Sequence, residues 1–265
     1  MSALFDASDI ADNYRLHLEP WLFAPWAERL VEFAALEVGQ TVLDVASGTG
    51  VVARAAASTV GPTGRVIASD ISERMLAKVS QAPGGEQIET LPSPATALDL
   101  PDASVDVVLC QQGFQFIRDQ PAAVAEFLRV LRPGGVIAVA VWTSGVRLDP
   151  FDAYADALRA VGQESEFGQT VGNDSLTTTT GELAEALAGF DDIQVRDEHV
   201  LVRWDSLDDE VAGIFGTPFG PVVEALAPDR RDALLADLRE RLAGSDGGTV
   251  EHDTVSVLAS GIRPA

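Results

Sequence analysis

The chain has one cysteine, three histidines and a single lysine among its 265 residues. Cys110 has no partner for an internal disulfide, and a lone thiol cannot build a thiolate metal cluster. A disulfide-stapled scaffold is therefore excluded. His17, His199 and His252 lack metal-ligand spacing, and the carboxylates follow no calcium-loop pattern, so no metal is expected. Lys78 and 17 arginines stand against 24 aspartates and 17 glutamates, for a net charge of −23. That balance repels phosphate backbones and anionic lipid surfaces, which argues against nucleic-acid and membrane partners. It fits a salt-rich cytoplasm and a GC-rich genome equally well. No apolar run reaches the roughly 18 residues that a membrane-spanning helix needs. The first residues carry Asp6 and Asp9 and no basic cluster, so a secretory signal is not expected and the expected location is the cytoplasm.

Apolar residues make up 46% of the chain, enough for a large core, and their pattern is regular. Leu16, Trp21, Leu22, Trp26, Leu30 and Phe33 form an apolar helical side broken by Pro20 and Pro25. Strands are expected at 41–45, 65–69, 87–91, 105–110 and 136–142. Helices are expected at 50–59, from 72 with Ser72 as N-cap, and at 120–131. This alternation predicts an α/β fold with a mostly parallel sheet and helices on both faces. After Trp142 the reading is a helix at 150–161, a polar loop at 162–180, a helix at 181–188 and a strand at 193–204. A helical acidic stretch at 205–242, a turn at 244–248 and a last strand at 250–262 complete it. No linker separates domains. One domain over 1–265 is expected: a helical cover at 1–37, a core at 38–143, and insertions at 144–180 and 205–245 forming a substrate lid. The acidic run Asp205–Glu210 reads as a solvated face.

Residues 42–50, Val-Leu-Asp-Val-Ala-Ser-Gly-Thr-Gly, run an apolar strand into a glycine loop, and the next strand ends in Asp70. Glycines let the backbone approach a ligand closely, and an acid at that strand end can accept from ribose hydroxyls. The loop satisfies a dinucleotide fingerprint at Gly48-Thr49-Gly50-Val51-Val52-Ala53, so an NAD-dependent oxidoreductase is one reading. Asp44 argues against it. A buried acid beneath the loop opposes a pyrophosphate but suits an amine or backbone N–H groups.

With Asp70-Ile-Ser-Glu-Arg-Met-Leu76, Leu100-Pro-Asp-Ala-Ser-Val-Asp-Val-Val108 and Leu131-Arg-Pro-Gly-Gly135, the chain resembles the class I S-adenosylmethionine-dependent methyltransferases over about residues 25–145. The resemblance is to the type that includes ubiquinone/menaquinone-biosynthesis and other small-molecule enzymes. It implies a Rossmann-like seven-stranded sheet with an antiparallel last strand, and S-adenosyl-L-methionine as cofactor with S-adenosyl-L-homocysteine as product. It places Ala46, Ser47, Gly48, Thr49 and Gly50 at the methionine part, Asp44 at the amine and Asp70 on the ribose. Ile71 and Met75 would border the adenine, and the Gln111 carbonyl would meet the cofactor amine. The family's Gly-Asp-Ala before the Leu-Pro segment is here Ser93-Pro94-Ala95. Its adenine-binding acid is thus lost, leaving Ala95 N–H, Thr96 or Ser93. Losing one charge-assisted bond costs about 1.5–3 kcal/mol, which predicts weakened cofactor binding.

Gln112, Phe114 and Phe116 follow the fourth strand and are candidate acceptor-binding residues. Tyr14 and His17, on the N-terminal helices, are candidate bases for a phenol or carbon acid. Trp21, Phe23, Trp26, Phe215 and Phe219 favour an apolar or aromatic acceptor, such as a polyketide or quinone. The acceptor atom (O, N or C) stays open, as does the choice between monomer and homodimer. A non-methylating member of the fold, a cyclase or binding protein, is the second alternative.

Overall fold

Runs of Val, Leu, Ile and Ala form the strands of the first half: β1 (Thr41–Val45), β2 (Arg65–Asp70), β3 (Glu89–Pro92), β4 (Val105–Gln111) and β5 (Leu131–Trp142). Branched side chains pack well on a pleated surface, and near-continuous burial marks a sheet covered on both faces. The helices between them are α3 (Val51–Val60), α4 (Glu73–Val79) and α5 (Gln120–Val130). β6 (Asp191–Trp204) and β7 (Val250–Ile262) complete a sheet ordered β3-β2-β1-β4-β5-β7-β6. β1 to β5 pair in parallel, and β7 is antiparallel to β5, from Val136↔Ile262 to Trp142↔Ser256.

The computed structural model describes residues 9–163, 177–243 and 250–265. Two compact units contain them. The cofactor-loop unit draws its described residues from Trp26–Thr143, Thr177–Glu198 and Ser256–Ala265. Its core joins Leu43, Val45, Ile67, Val108, Phe127, Val139 and Val257. Ser72 caps α4 by accepting from Met75 N–H (3.3 Å), and Asp119 caps α5 by accepting from Ala122 N–H (3.1 Å). α5 runs directly into β5. The Arg132-Pro-Gly-Gly segment is a bulged start of that strand, opposite the irregularity between Val105 and Val107. α7 (Thr180–Ala186) opens on a reciprocal cap between Thr179 and Glu182.

The helical unit draws its described residues from Met1–Pro25, Ser144–Leu176 and His199–Val255. The reading of Pro20 and Pro25 as breaks is corrected. α1 (Ile10–His17) continues through a π turn (Glu19–Phe23) into α2 (Ala24–Phe33). Each proline falls at the start of its segment, where a missing N–H is tolerated. The wider turn also shifts the helical phase. Leu16 is 54% exposed, and Leu18 is buried in its place. The stretch expected to be helical from 205 to 242 is divided into α8 (Leu207–Ala212), a 3₁₀ turn at Gly213–Gly216, α9 (Gly220–Glu224) and α10 (Pro228–Leu242). Glycines and prolines at 213–228 interrupt it. α6 (Phe151–Ala160) packs on α10. Most of the loop expected at 162–180, and the turn expected at 244–248, lie outside the described residues.

Candidate cofactor and acceptor site

β1 ends at Val45, and the backbone turns through left-handed residues at Ala46 (φ +54°), Gly48 (φ +55°) and Gly50 (φ +86°). Ser47 N–H bonds Ser69 C=O at 3.0 Å, tying the loop to β2. Gly50 begins α3, where a methyl would lie 2.9 Å from Val79, so both its φ and its space require glycine. A Cβ on Gly48 would meet nothing within 4 Å, so the loop crest faces open space. The Ser47 hydroxyl is buried and has no protein partner. An orphaned hydroxyl under an open glycine crest fits a polar small-molecule ligand.

Asp70 closes this loop from the next strand. One carboxylate oxygen accepts from Gly48 N–H (2.9 Å), the other from Ser72 N–H (2.8 Å). A single side chain thus fixes both the glycine loop and the start of α4. Asp44 lies beneath the loop, 1% exposed, and accepts from Ala53 N–H in the first turn of α3 at 2.9 Å. Burial pushes its carboxyl up to about 8; Ala53 N–H and Arg54 oppose the shift, and Asp70 adds to it. Cys110 is buried, and burial raises its thiol well above the usual range, so it serves as packing.

Beyond Asp70, Ile71 is 50% exposed while Met75 is buried, so Ile71 supplies the apolar surface next to the acid. Ser93 is committed to its own turn: its hydroxyl donates to Ala97 C=O (2.8 Å) and accepts from Asp99 N–H (3.2 Å). That corrects its reading as an adenine partner. Ala95 is half-buried, and Pro94 and Thr96 are exposed. Sequence reasoning missed the clamp behind this turn. Arg129 of α5 donates to Leu98 C=O (2.8 Å) and Leu100 C=O (2.7 Å), and Glu126 accepts from Leu98 N–H (2.8 Å).

On the other side of the loop, Gln111 ends β4 opposite Ala140 and is buried. Gln112 has φ +45° and donates its N–H to Ala140 C=O at 2.8 Å. Its side-chain Nε2 donates to Ser256 Oγ at 2.9 Å. No sequence signal pointed to Ser256, which lies far along the chain on β7. Phe114 packs in the core, and Phe116 is half-buried.

Tyr14 and His17 belong to the helical unit. Tyr14 stacks on Phe23 with centroids 4.9 Å apart, and His17 Nδ1 lies 3.7 Å from Asp209. Trp26 and Phe219 have no exposure and act as packing, which removes them as acceptor surface. Glu210 is corrected too: it is buried rather than solvated, and His252 Nε2 meets its Oε1 at 2.5 Å. Burial raises the Glu210 carboxyl despite this bond. His199 pairs with Asp253 at 3.0 Å, and both are exposed. Among the described residues no group of three or more His, Cys, Asp and Glu side chains is placed to hold a metal, and no helix is long and apolar enough to cross a membrane.

A parallel sheet closed by antiparallel β7, with a glycine loop after β1 and an acid ending β2, defines a nucleoside-binding α/β class. Residues 43–139 match the methyltransferase domain family. Over that segment the chain is similar to the class I S-adenosylmethionine-dependent methyltransferases. It is 35% identical over 118 residues to a ubiquinone/menaquinone biosynthesis C-methyltransferase of Hahella chejuensis, covering 43% of this chain and 47% of that one. The chain thus spans about half the length of the relatives it matches, from 47% to 59%. Two solved structures share the fold. One is a putative methyltransferase from an antibiotic biosynthesis pathway of Anabaena variabilis, with TM-score 0.65, 17% identity and coverage of 89% of this chain and 96% of that one. The other is Haemonchus contortus phosphoethanolamine N-methyltransferase 2 with phosphomonomethylethanolamine and S-adenosylhomocysteine, with TM-score 0.58, 18% identity and coverage of 91% and 52%.

Proposed function

We propose that this chain binds S-adenosyl-L-methionine and transfers its methyl group to a small organic acceptor. The bound cofactor supplies an activated methyl on a sulfonium, whose leaving group is already good. The protein's task is then alignment and exclusion of water. The observation that carries this reading is the Asp70 clamp: one acid, at the end of β2, that fixes both the open glycine crest and the start of α4. Ala46–Gly50 take the methionine part, Asp44 the amine, Ile71 the adenine edge with Ala95 and Thr96 beyond it, and the Gln111 carbonyl the amine from the β4 side. The exposed Pro94 supports weakened adenine recognition, since it offers neither a carboxylate nor an N–H.

A quinone-like or other aromatic acceptor is favoured by the names of the related C-methyltransferases and by the net charge of −23, which disfavours a nucleic-acid acceptor. The segments at 1–37, 144–180 and 205–245, outside the family match at 43–139, carry acceptor choice within one methyltransferase domain.

Incubation with methyl-tritiated S-adenosylmethionine and a panel of naphthols, hydroquinones and arylamines tests the reading. The expected result is acceptor-dependent S-adenosylhomocysteine, equal in amount to labelled product. Tight cofactor binding with no turnover on any acceptor would favour the cyclase or binding-protein reading instead.

A further inference from the structure

Gln112 bears two costs at one position. Its left-handed backbone, φ +45°, is strained for a residue with a side chain. Its side-chain Oε1 is buried and has no donor, in a residue only 7% exposed. A buried acceptor left without a donor is destabilising. The amide is nonetheless held firmly: its Nε2 is tied to Ser256 Oγ at 2.9 Å, and Ser256 is fully buried on β7 beside Trp142. The location is specific. A Cβ on the following residue, Gly113, would lie 2.5 Å from the Ala46 methyl that begins the glycine loop. Backbone strain, a rigid clamp and an unanswered oxygen therefore meet where the β4 loop touches the cofactor loop. A carbonyl oxygen takes only a donor.

We infer that Gln112 holds the methyl acceptor: its Oε1 takes a hydrogen bond from the O–H or N–H of the atom that is methylated, and Ser256 is a positioning residue that aims the amide. The inference rests on the methyltransferase reading and narrows its acceptor to a hydroxyl or amine. The hydrogen bond points the acceptor's lone pair away from Gln112 and toward the methyl carbon. The lone pair forms the new O–C or N–C bond while the C–S bond breaks, its electron pair going to sulfur. The acceptor's proton is lost to water, because an amide cannot retain it.

The test uses the full chain saturated with S-adenosylhomocysteine, with 1-naphthol and 1-methoxynaphthalene as probes measured by calorimetry. The two share an aromatic body, and only the first can donate. Wild type is expected to bind 1-naphthol at least about tenfold more tightly, the worth of one net hydrogen bond. Gln112→Met should abolish the preference, Ser256→Ala should reduce it severalfold, and Gln112→Glu, which keeps an acceptor oxygen, should restore it. S-adenosylhomocysteine affinity should stay unchanged in all three. Melting temperatures identify any variant that fails to fold, and Ser256→Ala then decides alone. Equal binding of the two probes to wild type, no binding of 1-naphthol, or a preference that survives the substitutions overturns the inference. So does a fall in S-adenosylhomocysteine affinity in the Gln112 variants, which would make Gln112 a cofactor contact. If wild type does not bind S-adenosylhomocysteine at all, the methyltransferase reading itself fails.

Discussion

Asp70→Ala is expected to weaken S-adenosylhomocysteine binding by about 100-fold or more. Two hydrogen bonds from ribose hydroxyls to one carboxylate are each worth about 1.5–3 kcal/mol, and every 1.4 kcal/mol is about tenfold. The loss also reaches the free protein. Gly48 N–H and Ser72 N–H, now bound at 2.9 and 2.8 Å, would lose their acceptor, releasing both the glycine loop and the start of α4. A drop in stability of about 1–3 kcal/mol should accompany the loss of affinity. Asp70→Asn, which keeps one acceptor oxygen, should fall between alanine and wild type on both measures. Calorimetry with S-adenosylhomocysteine and urea unfolding check the two effects separately. A tenfold or smaller change in affinity for Asp70→Ala would remove Asp70 from the ribose.

Asp44 is expected to couple cofactor binding to proton release. Its carboxyl is raised from 3.8 to about 8, chiefly by burial. A group whose folded value lies above its unfolded one contributes stability that is fully present below the unfolded value and is lost as pH rises through the folded one. Wild-type stability should therefore decline from about pH 4 to about pH 8 through this group. At pH 7 the group is mostly neutral. A cofactor ammonium beside it favours the charged form, so binding should expel close to one proton. Calorimetry in two buffers of different ionisation enthalpy reads that number. Asp44→Asn still offers an oxygen to Ala53 N–H. It should flatten the pH dependence, match or exceed wild-type stability at pH 8, bind about 10- to 100-fold more weakly and release no proton. Proton release by the Asn variant, or none by wild type, would contradict the assignment.

The sequence carried the core of this site because its signals are local. A strand, a glycine turn and a helix follow one another within 42–60, and Asp70 ends the next strand; β1 and β7 fall where the apolar runs place them. What sequence could not show depends on contacts across the chain. Ser256 reaches Gln112 from 144 positions away, and Arg129 reaches back to Leu98 and Leu100. Glu210 sits inside a run of acids, and only its pairing with His252 explains its burial. The π turn after α1 was hidden because two prolines look like breaks wherever they fall. The hydroxyl of Ser93 looked available because nothing local announces the turn that consumes it.

The central claim is that the loop at 46–50 and Asp70 hold an S-adenosyl cofactor and not a dinucleotide. Calorimetric titration of the wild-type chain with S-adenosylhomocysteine and, separately, with NAD⁺ at equal concentrations tests it most directly. The account predicts one S-adenosylhomocysteine per chain and no binding heat with NAD⁺. Saturable binding of NAD⁺, with none of S-adenosylhomocysteine, would contradict it.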